Sequence, residues 1–168
     1  MEFVIRRAGK KDIKHIQQVA VTSWNATYKG IIPLEIQKKF LQNAYSAKTM
    51  KKRLKHTHLF VAEADDRIVG FANFSDVKER GRVELGAIYL YPHYQGKGIG
   101  SALLQEGIDQ LGGVEEVYLN VEKQNEIGKN FYHAKGFEQV SEFQDTFDGH
   151  ILNTLQMVLK VENKAGTA

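Results

Sequence analysis

The chain has 168 residues, 42% of them hydrophobic, with 23 Lys/Arg against 20 Asp/Glu and no cysteine. That length and apolar content suit one domain with a buried core, and the missing cysteines exclude disulfides and thiolate metal sites. No run approaches the ~20 apolar residues of a membrane span and no apolar signal segment opens the chain, so a cytoplasmic protein without a membrane partner is expected.

Alternating apolar and polar residues over 3–7 predict a first strand. A helix follows from Gly9 or Lys10 to Tyr28. Its stripe of Ile13, Ile16, Val19, Ala20 and Trp24 keeps the 3.6-residue period, and Gly30 marks its end. Pro33 begins a short helix over 34–43, and Ser46 caps another over 47–56. Residues 1–60 hold 13 Lys/Arg and 3 Asp/Glu, while 61–168 hold 10 and 17. A basic surface that attracts an anion and a pair of solvated amphipathic helices both account for that bias. No nucleic-acid partner is expected, because the basic run at 48–55 has no interleaved aromatics.

Residues 58–64 and 68–77 predict a hairpin turned by Asp65-Asp66-Arg67, followed by a charged connection over 78–82. A long strand is expected over 83–91, and a helix over 98–111 broken by Gly112-Gly113. Then come a strand over 114–121 and a short helix over 126–135 stopped by Gly136. Two strands, 137–147 and 151–161, pair around Asp148-Gly149. Without linker or repeat, one domain over 1–161 and a polar, frayed tail over 162–168 are expected. The order predicts an α/β (α+β) layout with a mixed, mostly antiparallel sheet.

Residues 90–104 read Leu-Tyr-Pro-His-Tyr-Gln-Gly-Lys-Gly-Ile-Gly-Ser-Ala-Leu-Leu: an apolar strand, a glycine-rich turn and a helix start. A helix N-terminus offers unpaired N–H donors and about half a positive charge, which suits a phosphate or diphosphate. A Walker A loop is excluded, because the lysine precedes the last glycines. A dinucleotide fingerprint is excluded too: Gly96, Gly98 and Gly100 alternate, and the turn lies past mid-chain. The six histidines show no ligand spacing with carboxylates, so no metal is expected.

Gln95-x-x-Gly98-x-Gly100 resembles the acyl-CoA diphosphate loop of the GNAT superfamily of N-acyltransferases. A second block, Asn125 with Phe131-Tyr132 and Gly136-Phe137, resembles that superfamily's Asn-x-x-Ala-x-x-Phe-Tyr-x-x-x-Gly-Phe signature, with Gly128 where alanine is common. The resemblance covers roughly 3–161. It implies a twisted sheet with helices on both faces, whose parallel strands 83–91 and 114–121 splay to admit acetyl-CoA. It also implies that Gln95, Gly96, Lys97, Gly98, Gly100 and Ser101 hold the diphosphate. Ile88 and Leu90 backbone and Asn125 would hold the pantetheine.

Acyl transfer to an amine requires a neutral amine, a polarised thioester carbonyl and a protonated leaving group; deprotonating an alkylammonium near neutral pH costs about 4 kcal/mol. The resemblance places Glu84, eleven positions before Gln95, as general base, without a second acid at Gly86, and Tyr132 as general acid toward the departing sulfur. The segment 23–33 resembles the substrate mouth of bacterial members, and acceptor recognition is expected from residues 23–32 and the terminal hairpin. Trp24 and Tyr28, four apart on one helix face, are either its lining or core packing. Three functions follow from the resemblance: acetylation of a small-molecule amine, acetylation of a protein or peptide amine, and non-catalytic CoA binding. The first is expected, in a pattern resembling bacterial stand-alone members, the polyamine-acetylating kind included. The acceptor stays open between a polyamine, whose acidic site only Glu84, Glu138, Glu142, Asp145 and Asp148 could supply, and an amine on a neutral or acidic molecule. A homodimer through the terminal hairpin is expected.

Overall fold

A computed structural model describes residues 1–162; the tail expected to fray lies mostly outside them. Its elements in chain order are β1 (Val4–Arg7), α1 (Ile13–Tyr28), α2 (Leu34–Ala44), α3 (Ala47–His56), β2 (His58–Ala64), β3 (Arg67–Phe74), β4 (Arg82–Leu90), α4 (Ile99–Leu111), β5 (Glu116–Glu122), α5 (Glu126–Ala134), β6 (Glu138–Phe147) and β7 (His150–Lys160). Local chemistry sets many of the boundaries. Ser46 Oγ accepts the Thr49 N–H at 3.1 Å and starts α3. Asp65 and Asp66 both take positive φ, so the β2–β3 turn needs only those two residues and Arg67 joins the strand. Among the described residues no helix is long and apolar enough to cross a membrane.

The seven strands form one sheet in the order β1-β2-β3-β4-β5-β7-β6. Every pairing is antiparallel except that of β4 with β5. Helices cover both faces. On one, α4 sets Ile99, Leu103 and Leu104 against Phe60, Phe74 and Leu119. A Cβ at Gly107 would lie 2.2 Å from the Phe74 ring, so glycine there lets the helix settle onto the sheet. On the other face, α1–α3 bury Ile16, Trp24 and Met50 against Val61, Phe71 and Ala87.

Two corrections to the expected strands bear on the site. β3 stops at Phe74 rather than at residue 77, because the ladder to β4 shifts there: Asn73 faces Ala87 while Phe74 faces Leu85. Gly86 is the extra residue, a β-bulge, and it reverses the alternation along β4. Val83 and Leu85 enter the α4 core, whereas Ala87 and Tyr89 enter the α1 core. Just before the bulge β4 leaves β5, since only Arg82, Val83 and Glu84 pair, with Glu116, Val117 and Tyr118. The facing edges then diverge into a V.

Candidate active site

The strand-to-helix loop is built from backbone conformation. After Leu90 comes a single 3-10 turn, Pro92–Tyr94; Gly96 and Gly98 take φ of 75° and 85°, a left-handed region costly to other residues, and α4 begins at Ile99. The first intrahelical bond runs from Ala102 N–H to Gly98 C=O at 3.0 Å. The N–H groups of the first turn therefore have no partner within the helix, and the first turn itself carries no acidic residue. Gly100 serves packing: a Cβ there would meet Phe131 at 3.0 Å, so its absence lets α5 cross the start of α4.

That loop opens into a cleft of about 520 Å³ between the diverging strands. Ile88 and Leu90 form one wall; Gln95, Gly96, Gly98, Gly100 and Ser101 form the loop end. Asn125, Phe131 and Tyr132 of the α5 segment form the opposite wall, and Tyr28 closes the inner end. Lys97, Trp24 and Glu84 do not line it. Ser23 and Thr27, from the segment expected to form the substrate mouth, do line it, and so do Tyr89 and Asn120, which sequence reasoning missed.

Asn125 is buried and caps α5, its Oδ1 accepting the Gly128 N–H at 2.9 Å. A Cβ at Gly128 would stand 2.6 Å from Asn125 Nδ2, so the departure from alanine makes room for this amide over the helix start. The amide faces the Tyr28 hydroxyl, which also neighbours that of Tyr89. Burial raises the pKa of Tyr28, with Asn125 and Tyr89 opposing the shift, and raises that of Tyr89 further.

Tyr132 packs edge-on against Phe131 and Phe137, each at 5.5 Å between centroids. Burial, with a smaller contribution from Tyr28, lifts its phenol well above the ordinary tyrosine value. The group keeps its proton across the neutral range, as a donor must.

Trp24 lies behind this wall, stacked on Phe40 at 4.4 Å and tilted against Tyr28 at 4.6 Å. It is buried, and among the described residues its Nε1–H finds no acceptor with good geometry, although the Tyr89 hydroxyl lies beside it. Gln37 fixes the end of α1 from below, its Nε2 donating to Tyr28 O at 3.3 Å and Ile32 O at 2.9 Å.

Glu84 sits at the crotch of the V, on the last paired rung of β4 and β5. Its backbone is held on both sides by Ser75: Glu84 N–H donates to Ser75 Oγ and Ser75 N–H to Glu84 O, both at 2.9 Å. Ile88, where the cleft wall begins, is four residues further along, about 13 Å at the usual strand rise.

Residues 24–137 match the sequence model of the acetyltransferase (GNAT) family. The chain belongs to that family and is an acetyl-CoA-dependent N-acetyltransferase. It is 32% identical over 146 residues to a spermidine N(1)-acetyltransferase of Thermoplasma acidophilum, covering 82% of this chain and 89% of that protein. It is 34% identical over 150 residues to the N-acetyltransferase YuaI of Bacillus subtilis, covering 86% and 84%. Its fold superposes on the crystal structure of the PaiA N-acetyltransferase from Thermoplasma acidophilum in complex with coenzyme A. The TM-score is 0.83 at 28% identity, covering 96% of this chain and all of that one.

Proposed function

We propose that the chain moves the acetyl group of acetyl-CoA to a primary amine of a small molecule by direct attack. One observation carries the choice of a small acceptor. The tip of the β6–β7 hairpin reaches across to α2, with Phe147 against Phe40 at 5.7 Å and Asp148 paired to Lys39 at 2.7 Å. We read this bridge as narrowing the acceptor side to a mouth, where a peptide chain would need an open groove. The spermidine acetyltransferase relative supports the same reading.

In this reading the diphosphate rests on the first-turn N–H groups of α4, and the pantetheine amides take the β4 edge left unpaired by the splay. The neutral amine attacks the thioester carbon, the N–C bond forms and the C–S bond breaks. Tyr132 supplies a proton to the leaving sulfur. The proton shed by the amine passes through water toward Glu84. Asn125 holds the pantetheine arm.

A panel of mono-, di- and triamines with acetyl-CoA, scored by thiol release, tests the proposal. Turnover of small amines but not of peptides with a free N-terminus is the expected result. Peptide turnover alone overturns it.

A further inference from the structure

Alternation along β5 and β7 sorts their side chains onto two faces. Val117, Leu119, Val121, Leu155 and Met157 fill the α4 core. The residues between them project from the opposite face, where the α1–α3 core takes only Leu152 from these strands. The register there sets Asn120 opposite Gln156 and Glu122 opposite Thr154. Such cross-strand neighbours stand about 5 Å apart at Cβ. β6 adds Phe143 beside Thr154, 41% exposed. Asn120 also lines the cleft, so this polar patch continues from the place where acetyl-CoA and amine meet.

Its charge is uncompensated. Among the described residues Glu122 makes no ion pair, its Oε1 accepting only the Gln124 backbone N–H, at 3.4 Å, while the next residue, Lys123, is paired with Glu142 at 2.7 Å. Two further cations are committed at the other end of β5. There Lys78 donates to the Tyr118 hydroxyl at 2.5 Å, and Arg82 pairs with Glu116 at 2.6 Å. The Glu122 charge also reaches the Tyr28 hydroxyl at the inner end of the cleft.

We propose that Asn120, Glu122, Thr154 and Gln156 form a subsite for a second, unreacted ammonium of the acceptor, which makes the substrate an alkyl di- or polyamine. This rests on the amine-acetylating reading above. An ammonium has three donors and no acceptor; the patch offers a carboxylate, two amide oxygens and a hydroxyl, with the Phe143 ring alongside. Glu122 lies two residues beyond Asn120, about 7 Å along the strand. A short alkyl spacer between the two nitrogens covers that interval.

The test compares spermidine with propylamine, which has one nitrogen, on the parent, Glu122→Gln and Glu122→Asp. In Glu122→Gln the KM for spermidine rises about tenfold or more, while the KM values for propylamine and acetyl-CoA stay close to the parent's. Glu122→Asp, which keeps the charge, recovers most of the loss. An equal effect on both amines, or none on either, overturns the subsite and leaves the amine reading standing. Failure of the parent to turn over either amine overturns the amine reading and the subsite with it.

Discussion

The two halves of the sheet are built to different standards. In β3 every residue from Ile68 to Phe74 is buried, because helices pack on both of its faces. In β6 every residue from Glu138 to Thr146 is exposed, and the strand forms the edge of the sheet. Between them β4 and β5 separate, one belonging to the doubly covered half and the other to the half with an open face. The difference assigns labour: the first half fixes the fold, and the seam and the open face are free for ligands. A cleft lined by unpaired strand edges is tolerable only because the covered half carries the stability.

The largest expected effect contrasts the halves directly. Phe74→Ala empties a fully buried site against which Gly107 is already closely packed, and it costs about 3–5 kcal/mol. Phe143→Ala, on the open face, changes stability by less than about 0.5 kcal/mol. Urea unfolding of the two variants checks this, and comparable losses would erase the proposed division.

Tyr132→Phe moves from fold to chemistry. It keeps the ring packing with Phe131 and Phe137 and removes only the hydroxyl. The expected outcome is a kcat lower by about 100-fold with the KM for acetyl-CoA near the parent's. The pH dependence has a definite sign. A phenol raised above its ordinary value keeps its proton at lower pH and loses it only as pH climbs through the raised pKa. Parent kcat/KM therefore shows no descending limb from Tyr132 below about pH 10. A descending limb at pH 8–9 that vanishes in Tyr132→Phe would contradict the burial argument.

What could be read from the sequence was whatever is encoded locally. Gly96 and Gly98 announce positive φ, Ser46 announces a helix start, and Asp65-Asp66 a tight turn; each signal lies within a few residues of its effect. The bulge at Gly86 was not legible, because a glycine in a strand has several uses and only the register of β3 selects this one. Plain alternation puts Tyr89 with Val83 and Leu85, away from the α1 core where it belongs, so its place in the cleft wall was missed. Asn125 and Tyr28 were each legible alone. Their meeting depends on how α1 and the start of α5 converge, which no local pattern carries. Val114 was apolar enough to suggest a strand, yet it is a buried loop residue just before β5.

Glu84→Gln carries the smallest expected effect on catalysis and tests the seam itself. Glu84 lies where the two halves still pair, about 13 Å along β4 from the wall of the cleft. A proton from the amine reaches it only through water, so its removal slows one route without closing the others. The expected loss in kcat/KM is about tenfold. It is greatest near pH 6–7, where an alkylamine of pKa about 10 is almost wholly protonated, and it fades toward pH 9–10, where free amine is abundant. Bulk water and hydroxide then do what the carboxylate did. A loss equal at every pH would give Glu84 a structural part instead, through its paired bonds to Ser75 and its rung with Tyr118. No loss at any pH would leave the proton to a relay on the open half of the sheet.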